Sequence, residues 1–366
     1  MAAPVRFSPD VEQPEPDEAE TISGLIEQFK TILDTTSQDY GHGVRSVHAK
    51  GHGIARGTLI VADGLPPELA QGLFAHPGTY EAILRLSTNA GDILDDAISL
   101  PRGLALKVIG IAGERLTDAQ LSDARGGTQD FVMVNGPTFA APTPKAFLAN
   151  LKLLAKTTDR AEGAKKAISA LFRGAEAALE AVGGHSSFLQ ALGGARPVHP
   201  LGATYFTQTP FRYGDYIAKF SLVPVSGIKE FADETINAHG RPDAIREAVN
   251  ELLAEQGGTW ELRVQLCTDL KAMPIEDPTV PWDEEQSPWR TVATLTADPQ
   301  PAWEHGSSER TEDALSFSPW HGLAAHQPLG GVNRARKAAY QYSADYRGRV
   351  NGCPIHEPQA LADLPG

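Results

Sequence analysis

The stretch Thr259-Trp-Glu-Leu-Arg-Val-Gln-Leu-Cys267 carries the clearest structural signal in this chain of 366 residues. From Trp260 to Leu266, apolar side chains occupy every second position and more polar ones stand between them. This alternation predicts a strand with one face in a core and the other against water or a polar site. Half-buried strands of this kind are typical of antiparallel sheets.

The same alternation recurs along the chain. It predicts eight strands, at 54–62, 79–88, 102–111, 128–135, 203–210, 215–225, 259–268 and 289–298. The helical patterns collect in inserts and near the end instead of alternating with the strands, so a parallel α/β fold is disfavoured. We therefore predict one large α+β domain, an eight-stranded antiparallel β-barrel with flanking helices.

Four helical segments are predicted around this barrel. They are a helix from Glu20 to near Thr35, an insert at about 144–192, a helix with Pro242 at its first position that ends at Gly257–Gly258, and a helix from Arg334 to Arg347 capped by Asn333 and ending at Gly348. The acidic, proline-containing residues 1–19 are expected to form a mobile tail or an arm. The predicted organisation is thus a tail at 1–19, one domain at 20–350 and a C-terminal tail at 351–366.

Composition excludes several classes of partner. The formal net charge is -14, from 32 basic and 46 acidic residues, which disfavours nucleic acid and anionic membranes as ligands. No run of residues reaches the roughly 18 uninterrupted apolar positions of a membrane span. Two distant cysteines, Cys267 and Cys353, argue against a disulfide framework. Because the first residues lack a secretory pattern, we expect a cytoplasmic protein.

Common enzyme templates are missing from the sequence. There is no glycine-rich phosphate loop before a helix, no nucleophile elbow and no paired cysteine motif. His48 and His52 have the spacing of two metal ligands on a helix, but the five glycines between 41 and 57 make a helix implausible there. Arg336 and Tyr340 lie four residues apart on a predicted helix, so their side chains can meet.

Five segments in a fixed order carry a more specific signal. They are Arg45-Ser-Val-His48-Ala-Lys-Gly51, Arg85-Leu-Ser87-Thr-Asn-Ala-Gly91, Pro101-Arg-Gly-Leu-Ala-Leu-Lys107, Asp130-Phe-Val-Met-Val-Asn135-Gly-Pro137-Thr-Phe139 and Arg336-Lys-Ala-Ala-Tyr340. In these segments the sequence resembles the heme catalase superfamily. Ser318-Pro-Trp-His321 and Pro328-Leu-Gly-Gly-Val-Asn333-Arg-Ala-Arg336 make it most similar to the short bacterial catalase-related heme proteins. The resemblance implies a catalase-like barrel with one buried heme b and no C-terminal flavodoxin-like domain.

On one side of the heme, the resemblance makes Tyr340 the axial iron ligand, bound as a phenolate. A free tyrosine titrates near ~10, so a phenolate at neutral pH needs the iron and a nearby cation. The resemblance makes Arg336, one helical turn earlier, that cation. It also assigns Arg45, Arg85 and Arg347 to the heme propionates, because a buried dianion needs charged partners.

On the other side of the heme, the resemblance makes His48 the base that moves a proton between the two peroxide oxygens. Ser87 would hold the imidazole in one tautomer, and Asn135 would donate a hydrogen bond to bound peroxide. The sequence differs from that of large catalases at two places, and both differences concern which peroxide reacts and which reductant follows. Ala140 replaces one of two paired aromatic residues, and Gln341-Tyr342-Ser343 replaces the segment that usually follows the ligand.

Three functions follow from the resemblance. The first is a peroxidase with weak catalase activity, whose partners are hydrogen peroxide or an organic hydroperoxide and a small reductant. The second is an isomerase or lyase of fatty-acid hydroperoxides, as in allene oxide synthases, which place a threonine where this chain has Val47. The third is a non-catalytic heme-binding protein. Val47 and the His48–Ser87–Asn135 set favour the first, and the short tail leaves open whether the chain forms a homo-oligomer.

Overall fold

Nine strands form the centre of the molecule in the computed structural model, which describes residues 2–116, 127–155, 196–225, 227–353, 355 and 357–365. Their bounds are β1 Gly51–Val61, β2 Gly78–Thr88, β3 Arg102–Ile109, β4 Thr128–Val134, β5 Tyr205–Phe206, β6 Phe211–Tyr213, β7 Tyr216–Pro224, β8 Gly258–Leu266 and β9 Arg290–Ala297. All of their pairings are antiparallel.

Eight of these strands close into a barrel. The order runs β5-β4-β3-β2-β1-β9-β8-β7, and β5 pairs with β7 to complete the ring. β6 lies outside the ring as the first strand of a hairpin with β7. The predicted eight-stranded antiparallel barrel is therefore confirmed.

The segment 203–210 departs from its prediction. Only Tyr205–Phe206 is a strand, and a separate strand follows at Phe211–Tyr213. Between them Gln208 has a positive φ of 63°, and Pro210 has no N–H to donate to a ladder. The Gln208 side chain donates to the carbonyl oxygens of Gly136 and Thr138 instead. The alternating pattern thus continues across a point where the chain turns.

Five helices lie around the barrel within the described residues. They are α1 Glu18–Tyr40, α2 Pro144–Ala155, α3 Ala244–Gln256, α4 Ser307–Ala314 and α5 Gly331–Val350. α1 is longer than predicted, and the predicted insert is confirmed only from 144 to 155, because 156–192 lies outside the described residues. α3 ends at Gly257 as predicted, where φ is 67°, but it begins at Ala244 rather than at Pro242.

The prediction for the start of α5 is wrong. Gly330 precedes the first turn, and Asn333 lies inside the helix, fully buried. Its amide nitrogen donates to the carbonyl oxygens of Pro210 and Leu329, and its oxygen accepts from Thr209. Asn333 therefore attaches α5 to the loop between β5 and β6 instead of capping the helix. α5 ends at Val350, two residues beyond the predicted Gly348.

Two hydrophobic layers locate the site. Inside the barrel, the core includes the buried side chains of Leu59, Leu106, Phe131, Phe220 and Leu262. A second layer lies on the other face of β2, β3 and β4 and comprises Ile83, Ala105, Ile109, Val132, Leu315, Phe317 and Leu364, with Tyr340 packed against it. Every residue of β3 is buried because both of its faces are covered. The outer face of this wall, beneath α5, forms one side of the candidate site.

Both ends of the described chain contact the barrel. The backbone N–H groups of Val5 and Phe7 donate to the carbonyl oxygens of Cys267 and Asp215. The side chains of Val5, Phe7 and Val11 pack against a hydrophobic cluster that includes Trp282. In the C-terminal segment, Leu364 belongs to the outer hydrophobic layer. The predicted boundaries at 19 and 350 stay predictions. None of the described helices has the length and apolar character needed to span a membrane.

Candidate functional site

A two-lobed cavity lies between the barrel wall and α5. The larger lobe encloses about 1200 Å³ and the smaller about 640 Å³, both including open solvent. The lobes meet at a common set of lining residues, Phe29, Val47, His48, Val132, Ala339 and Tyr340. His48 reaches this cavity from the loop before β1 and Tyr340 from α5, so the two predicted residues face one space.

His48 is held in an unusual backbone conformation. Its φ is 55°, a region that non-glycine residues rarely adopt and that is often found at functional sites. Ser87 Oγ lies 3.1 Å from His48 Nδ1. A Cβ on Gly103 would lie 2.4 Å from the imidazole, so only glycine leaves room for the ring here. Burial and then the positive charges of Arg85 and Arg336 lower the pKa of His48 to about 3, which keeps the ring neutral at physiological pH.

Asn135 lies at the end of β4 and lines the larger lobe. Its backbone N–H donates to the Arg102 carbonyl oxygen at 3.0 Å, and its side-chain oxygen accepts from the Arg102 N–H at 2.7 Å. These two bonds fix the amide group on the strand pair. Because the side-chain oxygen is used, the amide nitrogen is the atom that can donate towards a ligand.

Tyr340 and Arg336 meet on one face of α5, as the spacing predicts. Arg336 Nη2 donates to the phenol oxygen at 3.1 Å, and Arg336 Nη1 donates to the side-chain oxygen of Asn333 at 3.2 Å. The buried Asn333 therefore holds the guanidinium against the tyrosine. Both Tyr340 and Arg336 line the larger lobe. The phenol oxygen of Tyr340 and a charged donor therefore face the same space.

Three arginines and one glutamate form what we call the arginine cluster: Arg45, Arg85, Arg347 and Glu312. The three arginines line the smaller lobe. Arg45 and Arg85 form ion pairs with the Glu312 carboxylate, while Arg347 donates to the carbonyl oxygens of Glu312 and Leu315 at 3.2 and 3.0 Å. The formal charge of the cluster is thus +2, from three cations and one anion. Such an excess of buried positive charge favours an anionic ligand.

All predicted site residues line this cavity. The smaller lobe has Arg45, His48, Arg85, Ser87, Tyr340 and Arg347, and the larger lobe adds Asn135 and Arg336. Sequence reasoning missed Glu312, as well as Leu25 and Phe29 of α1, which line the apolar wall. Phe29 belongs to the helical pattern of α1, but no sequence signal shows which element that helix packs against. Glu312 lies in the polar helix α4, whose composition is typical of an exposed helix.

A second buried ionic group, which we call the lysine cluster, consists of Lys107, Asp130, His321 and Glu357. Lys107 Nζ lies 2.8 Å from Asp130 and 2.5 Å from Glu357, and His321 Nδ1 lies 3.1 and 3.2 Å from the same two carboxylates. None of these four residues lines either lobe. The side chains of Asp130, His321 and Glu357 are close enough to hold a metal ion, but the Lys107 ammonium already lies between the two carboxylates.

Solved structures with the same architecture identify the fold. Catalase A from Saccharomyces cerevisiae has 18% identity and a TM-score of 0.60 over 87% of this chain and 64% of that one. A fungal catalase has 19% identity and a TM-score of 0.57 over 86% of this chain and 62% of that one. A bacterial catalase has 18% identity and a TM-score of 0.59 over 97% of this chain and 66% of that one. The fold is catalase-like. The chain covers slightly less than two thirds of the length of these catalases. No protein-family model and no curated protein matches the sequence.

Proposed function

We propose that the chain binds heme b between His48 and Tyr340 and uses it to consume hydroperoxides. One observation carries the proposal. A single cavity presents a phenol oxygen with a guanidinium beside it on one wall, and a neutral imidazole on another. The catalase-like fold supports the same class of reaction.

The residues present suit a heme. Its two propionates carry two negative charges, and the arginine cluster carries a formal charge of +2. Arg347 Nε, buried at the edge of the smaller lobe, has no hydrogen-bond partner in the part of the chain that the structure describes. A buried guanidinium nitrogen without a partner is costly, and a carboxylate ligand would supply the missing acceptor. Arg45, Arg85 and Arg347 would therefore hold the propionates, and Tyr340 would ligate the iron.

The serine beside His48 indicates which imidazole nitrogen acts. Ser87 Oγ lies 3.5 Å from the Gly103 carbonyl oxygen and 3.1 Å from His48 Nδ1. If the hydroxyl donates to that carbonyl, it must accept from Nδ1–H, and Nε2 is then unprotonated. His48 Nε2 would accept the proton of the peroxide and return it to the departing oxygen, while Asn135 donates to the same substrate. When bound, the heme supplies the iron that exchanges electrons with the peroxide.

The opposite wall places the Arg336 guanidinium against the phenol oxygen of Tyr340. The Arg336 guanidinium donates to the phenol oxygen and lies over the ring, with its Cζ 5.2 Å from the ring centre. Because Asn333 accepts from the same guanidinium, its position is set by the buried part of α5. This arrangement fixes the phenol oxygen and a charged donor together on the wall that would hold the iron.

A second candidate function is supported by the larger lobe. Beyond His48 its walls include Val134, Phe139, Ala140 and Phe147, which suit a hydrocarbon chain. An isomerase or lyase of fatty-acid hydroperoxides would use such a surface. Val47 lines both lobes, and its side chain has no hydroxyl to hinder peroxide turnover. We therefore place peroxide consumption first.

The test of heme binding is the ferric-heme absorption band of purified, heme-supplemented protein. We expect Tyr340→Phe to lose this band, because the phenylalanine ring has no atom to ligate iron. Tyr342→Phe is the matched control, since Tyr342 lies on the same helix and does not line either lobe. An unchanged spectrum in Tyr340→Phe would refute the assignment of the ligand.

The test of peroxide chemistry uses His48→Gln. We expect this variant to keep its heme and to lose on the order of 10²- to 10⁴-fold in peroxide turnover. His42→Gln in the same loop serves as the control, because His42 pairs with Asp313 outside the cavity. Full turnover in His48→Gln would mean that another group moves the proton.

Product analysis separates the two candidate functions. The wild-type protein is given hydrogen peroxide in one experiment and a lipid hydroperoxide in another. Oxygen release, or oxidation of an added donor, supports peroxide consumption. An epoxide or aldehyde formed from the lipid supports the isomerase or lyase.

A further inference from the structure

We infer that Glu312 is a positioning residue that holds Arg45 and Arg85 in place and sets the charge of the arginine cluster at +2. This charge matches a ligand that carries two carboxylates. The inference rests on the proposed function, because the ligand it concerns is the heme. It assigns a role to a residue that no sequence motif indicates.

Glu312 accepts hydrogen bonds through both carboxylate oxygens. Arg85 Nε lies 2.8 Å from each of them, and Arg45 Nη1 donates to Oε2. Burial favours the protonated form of Glu312, but the charges of Arg45 and Arg85 outweigh this effect and lower its pKa. The carboxylate is therefore ionised and fixed by two charged donors.

The carboxylate lies behind the arginines. Arg45, Arg85 and Arg347 line the smaller lobe, whereas Glu312 does not. Glu312 therefore does not contact the space where a ligand would lie, and its effect on the ligand must pass through the arginines. A Cβ on Gly51 would lie 2.3 Å from Glu312 Oε1. Glycine at the start of β1 thus makes room for this buried carboxylate.

Helix α4 supplies further fixed acceptors. Arg45 Nη2 donates to the carbonyl oxygens of Glu312 and Leu315 at 3.1 and 2.9 Å, and the two terminal nitrogens of Arg347 donate to the same pair. These carbonyls lie at the C-terminal end of α4, where the helix dipole favours cations. The end of this helix therefore fixes two guanidinium groups, and the Glu312 side chain adds the charge that holds the third, Arg85.

Charge arithmetic explains why one glutamate is needed. Without Glu312, three buried guanidiniums would repel one another, and Arg85 is already among the groups that lower the pKa of Arg45. With one glutamate the cluster carries +2, and a ligand with two carboxylates brings it to zero. A second buried carboxylate would leave only +1 for such a ligand. Three arginines and one glutamate are thus the combination whose charge a ligand with two carboxylates neutralises.

The experiment compares Glu312→Gln with Glu309→Gln, and it uses Glu312→Asp as the conservative variant. Glu309 lies on the same helix with an exposed side chain, so the control removes one charge from the same element. For the heme-free protein we expect Glu312→Gln to lower the melting temperature by on the order of 5 °C, because buried cations lose their partner. We expect Glu309→Gln to change it by much less.

The reduction potential of the bound heme is the readout that a merely structural role would not move. Loss of one negative charge favours the reduced iron, so we expect a more positive potential in Glu312→Gln. Glu312→Asp keeps the charge and should keep the potential near that of the wild type. Glu309→Gln should leave the potential unchanged.

Two outcomes would overturn the inference, and they differ from failure of the proposed function. A Glu312→Gln protein with the melting temperature and potential of Glu309→Gln would show that the carboxylate neither holds the arginines nor sets the charge near the heme. A lower melting temperature with an unchanged potential would reduce Glu312 to a structural role. If the wild-type chain takes up no heme, the proposed function fails and the inference fails with it.

Discussion

Two buried ionic groups differ in what surrounds them. In the lysine cluster, two carboxylates share one ammonium and one imidazole, each charged group has a partner of opposite charge within the cluster, and no member lines the cavity. In the arginine cluster, three guanidiniums share one carboxylate and line the smaller lobe. Both groups lie on or beside the outer face of the barrel wall formed by β2, β3 and β4. Only one of them has an excess of charge that faces an open space.

The difference separates a structural role from a binding role. A buried charge is tolerated when it is paired, so a group in which each charge has a partner needs no ligand. A buried group with surplus charge needs a bound counter-ion, contact with solvent, or a pKa shift that removes the charge. Burial lowers the pKa of Arg347 to about 10 despite the opposing effect of Glu312. In the lysine cluster, by contrast, the two carboxylates outweigh the effect of burial and raise the pKa of Lys107.

The comparison predicts its largest effect at Lys107. Lys107→Met would leave two buried carboxylates without their shared cation, and we expect a loss of about 3–5 kcal/mol in the free energy of unfolding. The heme content per folded molecule should stay unchanged, because the lysine cluster does not line the cavity. Urea unfolding and the heme absorption band measure the two quantities.

Lys145→Met is the matched control for this prediction. Lys145 pairs with Asp17 on the surface, and exposed pairs contribute little, so the urea midpoint should not change measurably. A Lys107→Met protein that stays as stable as this control would remove the structural role of the lysine cluster. Loss of heme without loss of stability would place that cluster in the binding site.

The second prediction concerns acid unfolding. Burial favours the protonated form of Glu357, but Lys107 and His321 outweigh it and lower the pKa of Glu357 to about 2, against about 4.5 in an unfolded chain. Its ionised form therefore adds stability that is complete above pH 4.5 and is lost as the pH falls towards 2. Glu357→Gln removes this contribution. Between pH 4.5 and 2 we expect a slope shallower by up to about 1.4 kcal/mol per pH unit.

Urea unfolding at a series of pH values measures this slope. Glu304→Gln, which changes an exposed carboxylate, should leave the slope as in the wild type. Equal slopes in the wild type and Glu357→Gln would show that Glu357 is not held as an ion by the lysine cluster. The arginine cluster would then no longer contrast with a group whose charges are paired with one another.

The third prediction tests the surplus charge at Arg347. Its terminal nitrogens donate to backbone carbonyls and not to the Glu312 carboxylate. Arg347→Gln therefore removes one cation without breaking an ion pair. We expect heme to dissociate at least ~10-fold faster, because one charged hydrogen bond to a propionate is lost, while stability falls less than in Lys107→Met. Arg349→Gln, on the exposed face of α5, should keep the wild-type dissociation rate.

Transfer of heme to an excess of apomyoglobin measures the dissociation rate in both variants. A rate in Arg347→Gln equal to that in Arg349→Gln would mean that the surplus charge does not bind the ligand. In that case the two clusters would differ only in whether they line the cavity, and not in whether they bind a ligand.

The barrel could be predicted from sequence because its strands are antiparallel and locally patterned. Trp260 and its neighbours alternate so regularly that the pattern alone predicts the strand, although it does not predict the register shift between Leu262 and Arg263. The exception, 203–210, fails because alternation says nothing about a turn such as the one at Gln208. Asn333 was placed wrongly because its buried hydrogen bonds to distant residues outweigh its local preference for a cap.

The candidate site was only partly predictable. Residues within ordered motifs, such as His48 and Tyr340, were found because the motifs resemble a known superfamily. Glu312 was not, because its partners Arg45 and Arg85 lie 267 and 227 residues away in the chain. Glu357 pairs with Lys107 over 250 residues, in a segment predicted to be a tail. No local pattern shows that an acidic side chain in a polar segment will be buried against a cation.

The smallest expected effect is an absence of pH dependence at His48. Burial and the charges of Arg85, Arg336 and Arg45 lower its pKa to about 3, whereas an ordinary histidine titrates near 6.5. Above pH 5 the imidazole is therefore neutral and able to accept a proton, so protonation of His48 should not limit the reaction. We expect the second-order rate constant for hydrogen peroxide, measured by stopped flow, to be constant from pH 5 to 8. A rate that falls with a pKa near 6.5 would show that neither burial nor the arginine charges lower the pKa of His48 in the heme-bound protein. The surplus positive charge of the arginine cluster would then contribute to ligand binding and would not affect the pKa of His48.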